Sequence, residues 1–162
     1  PLKIELLVND DNETRLRVAK KISEQLKDVG VDLQISKVKW DDELRRIRVG
    51  NFDMAFIGCK VPMVPDISFM YSSSQIEVGF NTSKYSNPIV DDYLQRILFE
   101  NDVNKKKAFF VTVKNIINDE VPYIGLYFYN NAVIYNKRIR GEMKPSIWNK
   151  YNDISRWYIP NM

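Results

Sequence analysis

The sequence predicts an α/β fold, a mostly parallel sheet flanked by helices with an antiparallel hairpin late in the chain. Three observations carry that expectation. Strand-like alternation and helix-like periodicity take turns through the first third of the chain, the links between them are short, and the third strand-like run is apolar almost throughout. Continuous apolar strands are those buried on both faces, as in parallel sheets covered by helices.

Residues 2–8 alternate and are rich in β-formers, as a strand requires. The polar stretch 9–12 then offers several helix caps. Over residues 13–29, Leu16, Ala19, Ile22, Leu26 and Val29 recur at spacings of three and four, which places them on one helix face. Gly30 supplies the stop. A second strand follows, with Val31, Leu33 and Ile35 on one side. Strand, helix, strand with short links implies a right-handed parallel crossover. Residues 40–49 read as a short helix opened by Asp41 and Asp42 and ended by Gly50, and residues 52–59 as the third strand. The segment 60–84, with two prolines, a serine run and Gly79, has the composition of a long functional loop.

A helix pair follows. Asn87 caps the first helix and Pro88 occupies its first position, where a missing N–H costs nothing. Asp91 and Asp92 lie in the positive first turn, and Ile89, Tyr93, Ile97 and Leu98 are expected to face inward. Residues 102–119 form the second helix, with Val103, Phe110, Val113 and Ile117 as its buried stripe. Residues 121–129 and 132–135 read as two strands joined at Asn130-Asn131, a hairpin-type turn. The remainder, 141–162, is polar with isolated aromatics and no periodicity, and is expected to dock on something.

With 162 residues, 44% hydrophobic and 28% charged, the chain has the size and composition of one globular domain. No apolar run approaches the roughly 20 residues that cross a bilayer. The net charge of +3 is weak and scattered, which argues against a nucleic-acid partner. Histidine is absent and Cys59 is the single cysteine. A Ser-His-Asp triad, a Cys-His pair, a zinc site of the usual ligands and a disulfide framework therefore cannot be built from this chain alone. No glycine-rich phosphate loop or dinucleotide fingerprint occurs, and no cofactor is expected. The acid pairs Asp10-Asp11, Asp41-Asp42 and Asp91-Asp92 read as decoration of helix N-termini. The run Lys105-Lys106-Lys107 reads as a solvated face, and Cys59 as a buried thiol. The aromatics Tyr123, Tyr127, Phe128, Tyr129 and Tyr135 fit either sheet packing or the lining of a cleft or hinge. The start at Pro1, with no initiator Met, signal peptide or lipid-attachment cysteine, reads as an excised piece of a longer protein.

In order along the chain, LKIELLVND with the helix ending QLKDVGVDLQI, then GNFDMAFIGC, VPDISFMYSS, GFNTSKYSNPIVDDYL and DEVPYIGLYFYNNAVIYNKRIRG resemble the second half of the extracellular solute-binding proteins of family five, the oligopeptide, dipeptide and nickel class. The run with Asn81, Tyr85, Asn87, Pro88, Val90 and Asp91 is the most specific match. The tail, with Tyr151, Asp153, Ile154 and Trp157, is similar to the segment that returns to the family's first lobe. The resemblance implies one lobe of a two-lobed, periplasmic-binding-protein-like clamp. Residues 1–140 are then the second ligand-binding lobe, and 141–162 a tail that returns to the absent first lobe. It implies a binding module and not an enzyme, outside the cytoplasm and held to a membrane by a lipidated N-terminus upstream. Its partners would be that first lobe, a membrane permease of an ABC importer, and a peptide or similar small solute.

Carried over by position, the family's pocket falls on Gly58, Cys59, Lys60, Pro62, Met63 and Asp66. Peptide binders of the family often have tryptophan where this chain has Cys59, and an aspartate that pairs with the peptide's amino group where it has Pro62. That loss removes a charge-assisted anchor. Two readings of Asp66 stand: a turn aspartate, or a replacement anchor if the loop folds inward. A metal-chelate ligand also fits the class, although a chain without histidine has no imidazole to offer it. Two other readings of the chain stand beside the resemblance. One is a receiver-like or small α/β enzyme domain, with acids converging at the ends of the first and third strands. The other is a peptide-sensing module on the same scaffold.

Overall fold

The computed structural model describes residues 1–60, 63 and 66–160. The chain divides into two compact units, Pro1–Pro122 and Tyr123–Met162. In the first, β1 (Leu2–Asn9), α1 (Glu13–Lys27), β2 (Val31–Val38), α2 (Trp40–Val49) and β3 (Met54–Ala55) form the α/β part. The sheet has the order β2-β1-β3, and both pairings are parallel. Leu2 lies opposite Val31 and Asn9 opposite Val38, so β1 and β2 are in register over their full length.

The two faces of β1 differ. Ile4, Leu6 and Val8 point with Leu33 and Ile35 into one core, which Leu16, Ala19, Ile22 and Leu26 of α1 close. The side-chain period of two sends Glu5 and Leu7 to the other face. There Glu5 accepts from Arg46 of α2 at 2.5 Å and from Ser36 of β2, also at 2.5 Å. Asn12 caps α1 by accepting from the Arg15 N–H at 3.0 Å. Gly50 closes α2 in the left-handed region at φ 75°, a conformation that costs a side-chain-bearing residue energy.

The third strand is shorter than residues 52–59. Only Met54 and Ala55 pair with β1, extended by one bond from the Phe56 N–H to the Leu7 carbonyl at 2.9 Å. With three strands in the sheet, β3 is an edge and lacks the second neighbour that burial on both faces needs. Val29 is exposed too, since α1 ends at Lys27 before its last predicted turn.

A second core joins α3 (Ser68–Tyr71), α4 (Pro88–Phe99) and α5 (Val103–Glu120) around Val90, Leu94, Ile97 and Val113. Its stripe on α4 is rotated from the predicted one: Ile89 and Leu98 are exposed, and Val90 and Leu94 are buried instead. Val103, the first residue of α5, is exposed as well. The run Asn81–Asp91 staples this core together. The Asn81 amide, 1% exposed, donates to the Ser72 and Tyr85 carbonyls, and its oxygen accepts from the Tyr85 N–H. Asn87 accepts from the Ile89 and Val90 N–H groups, and Asp91 takes both the N–H and the hydroxyl of Ser73.

In the second unit the predicted hairpin does not form. Residues 123–135 hold no ladder, and Phe128 and Ile134 are 88% and 94% exposed. A lone two-stranded hairpin is marginal without a third strand or a helix to cover one face, and the described residues of this unit supply neither a third strand nor an α-helix. Its ordered features are an antiparallel bridge between Arg140 and Tyr158 and a turn of 3₁₀ helix at Ile154–Arg156. The tail aromatics Trp148, Tyr151 and Tyr158 are exposed.

Candidate functional site

Parallel strands present their carboxyl ends on one edge of a sheet, where open α/β folds bind ligands. Here that edge is made by the ends of β1 and β3, the first turns of α1 and α2, and the segment after β3. Gly58, Cys59 and Lys60 follow β3 and are exposed, and so is Met63. Cys59, expected to be buried, stands in the open because the strand that would have buried it stops at Ala55. Its thiol donates to the Met70 sulfur at 3.6 Å, which ties the loop to α3. Asp66 accepts from the Ser68 N–H at 2.9 Å, the bond of a turn aspartate at the start of α3. Pro62 lies outside the described residues.

Residues not singled out from the sequence complete this edge. Arg15, on the first turn of α1, donates through Nη1 to the Asn9 side chain at 2.7 Å. Asn9 in turn donates to Asp11 at 2.5 Å. The Arg15 guanidinium lies 5.5 Å from the Trp40 ring centre and 5.9 Å from that of Phe56, within cation–π range of both. Its Nη2 points at Gly58: a Cβ on that glycine would stand 3.2 Å from it. Among the described residues Arg15 has no ion-pair partner. Glu43, on the first turn of α2, is fully buried, and neither carboxylate oxygen has a hydrogen-bond partner among the described residues. Burial pushes its carboxyl above the ordinary range; the Arg15 charge and the nearby Asn9 backbone N–H, which falls outside ordinary hydrogen-bond geometry, pull it back, and the Asp11 charge adds to the rise.

The two residues carry a faint signal in the sequence. Glu43 sits one helical turn before Ile47, the buried apolar residue of α2, and therefore shares its face. Arg15 lies just past the cap of a helix that begins directly after a strand. The acids do not converge on a metal: no group of three or more His, Cys, Asp or Glu side chains is placed to hold one among the described residues. β3 runs out into Phe56, Ile57 and Gly58, with no acid at its end.

No family model matches the chain. It is 26% identical over 156 residues to the oligopeptide-binding protein AppA of Bacillus subtilis, covering 95% of this chain and 28% of that protein. It is 25% identical over 142 residues to the periplasmic murein peptide-binding protein MppA of Escherichia coli, covering 87% of this chain and 26% of that one. The chain thus spans little more than a quarter of the curated relatives it matches. The structure of AppA in complex with a nonapeptide superposes with a TM-score of 0.77 at 23% identity, covering 99% of this chain and 32% of AppA. That of NikZ from Campylobacter jejuni in complex with Ni(L-His) superposes with a TM-score of 0.75 at 18% identity, covering 96% and 33%. In sequence and in fold the chain is similar to a stretch of the two-lobed solute-binding proteins of family five, the oligopeptide, dipeptide and nickel class.

Proposed function

We propose that this chain is the ligand-capturing lobe of an extracellular solute-binding protein that delivers peptides or similar small solutes to an ABC importer. It is a binding module with no reaction of its own. The observation that carries this reading is the match of nearly the whole chain, 95% in sequence and 99% in fold, to one contiguous part of an oligopeptide-binding protein. Residues 1–140 are the lobe proper and 141–162 the segment that returns to a first lobe. The ligand lies at the carboxyl edge of the sheet, against Gly58, Cys59, Lys60, Pro62, Met63 and Asp66. What supports that placement is the exposure of Gly58, Cys59, Lys60 and Met63 and the approach of Arg15 to Gly58.

A ligand enclosed between two lobes gains contacts from each, and those contacts shift the balance from open to closed. One lobe alone supplies part of them. Native mass spectrometry checks this on two samples, the full gene product and residues 1–162. The full product should carry a co-purified small solute and show roughly micromolar affinity for its class, with coding sequence for about 200 or more residues and an export signal upstream of Pro1. The 162-residue chain should bind the same solute negligibly. Micromolar peptide binding by the chain alone, or a gene without a first lobe, would sink the two-lobed reading.

A further inference from the structure

A carboxyl group taken wholly out of water and given no hydrogen bond is among the costlier arrangements in a folded protein. Glu43 is such a group, and it stands in the electrostatic reach of Arg15, the cation that faces the mouth of the sheet. Arg15 spends Nη1 on Asn9 and rests its flat faces near Trp40 and Phe56, while Nη2 stays aimed at the exposed Gly58 backbone. A guanidinium bonded at one corner and set near two rings, with no ion-pair partner among the described residues, is suited to receive an anion.

We propose that Glu43 sets the charge that Arg15 presents to a ligand: with its carboxyl neutral, Arg15 holds a carboxylate-class anion at the end of β3, and with its carboxylate formed the two charges cancel and the anion is released. The charged groups that bear on Glu43 are few. Arg15 of α1, whose guanidinium lies over Trp40 one helical turn before Glu43, and Asp11 of the β1–α1 connection act on it through their charges, while β1 offers the neutral Asn9. On α2 itself, Asp42 is turned to solvent and paired with Arg45 at 2.7 Å, and Arg46 is committed to Glu5. Arg15 is therefore the cation that a Glu43 carboxylate meets, and its neutralisation the main electrostatic consequence. Burial already favours the neutral form. Linkage is reciprocal: an anion that prefers neutral Glu43 must itself raise the pH at which Glu43 ionises.

The inference rests on the reading that ligand sits at this edge of the sheet, and its test separates the two. Trifluoroacetate is the probe, because it stays ionised across the range and reports binding through its fluorine signal. Titrated against the chain at about pH 5 and about pH 8, it should bind roughly threefold to tenfold tighter at the lower pH. Glu43→Gln should bind at the tighter value at both pH values, and Arg15→Gln should show no saturable binding at either. Carbon-detected titration of the Glu43 carboxyl in the unaltered chain should shift upward when the anion is added, a readout that needs no variant to fold. A pH-independent affinity in the unaltered chain, a pH dependence that survives in Glu43→Gln, or a Glu43 titration blind to the anion overturns the proposal. Failure of the full protein to capture a solute at this edge would leave those titrations as they are and would count against the functional reading instead.

Discussion

Two glutamates on facing elements show how environment sets opposite pH slopes. Glu5 accepts from Arg46 and Ser36, and those bonds hold its carboxyl below the ordinary range. Its folded form therefore releases its proton more readily than the unfolded chain does. The stability it contributes is present above the ordinary carboxylate value and is lost as pH falls through the depressed one. Glu43 runs the other way. Its carboxyl is raised by burial, so the folded state holds the proton more tightly, and stability falls as pH rises from the ordinary value through the raised one. Glu43→Gln keeps the shape and removes the charge. It should leave the urea midpoint nearly unchanged in acid and raise stability by about 1–2 kcal/mol above neutrality. Chemical denaturation across that range reads the crossover, and a variant less stable at every pH would show that ionised Glu43 is supported by its surroundings. Neither role was legible as such in the sequence. An acid beside Asp41-Asp42 looks like helix-end decoration, and only its spacing from Ile47 betrays that it turns inward.

The elements that were legible are those whose code is local. Asn87 and Pro88 announce a helix start, Gly50 a helix end, and alternation over residues 2–8 a strand; each is decided by backbone geometry within a turn of itself. Those that were not legible depend on partners far away in sequence. The length of β3 is set by where β1 offers free backbone groups, and the stripe of α4 by where α5 and α3 lie. The pocket residues divide on the same line: the exposure of Cys59 follows from the early end of β3, while the turn bond of Asp66 is a local matter. Asn81 is the clearest case of a loop residue acting as an element. It is buried and its amide and oxygen bind Ser72 and Tyr85 at 2.7–3.0 Å, closing the loop against the helical core. Asn81→Ala strands those buried backbone groups and should cost roughly 2–4 kcal/mol. Asn87→Ala, which removes a half-buried cap, should cost only about 1 kcal/mol. Denaturant midpoints of the two variants test the order, and equal losses would mean that the loop is not held through Asn81.

At the scale of the chain, the two units differ in what holds them. The first has two apolar cores and a sheet whose β1–β2 ladder runs the full strand length. In the second, none of the described residues is buried, and its backbone pairing is one bridge and a few turns. Local stability follows buried apolar contact and paired amides, so amides of 123–160 should exchange within seconds to minutes while those of β1, α1, α4 and α5 persist. A chain ending at residue 122 should then melt within a few degrees of the full 162-residue chain, since both apolar cores are built from residues before that point. If the proposed first lobe is what residues 141–162 return to, the contrast must vanish in the full protein. There the exchange of Trp148, Tyr151 and Tyr158 should slow by at least about a hundredfold, because covering their exposed rings raises the opening free energy by nearly 3 kcal/mol or more. Hydrogen exchange on both forms reads this directly. Equal, fast exchange of the tail in the full protein would remove the physical reason for assigning it to a second body.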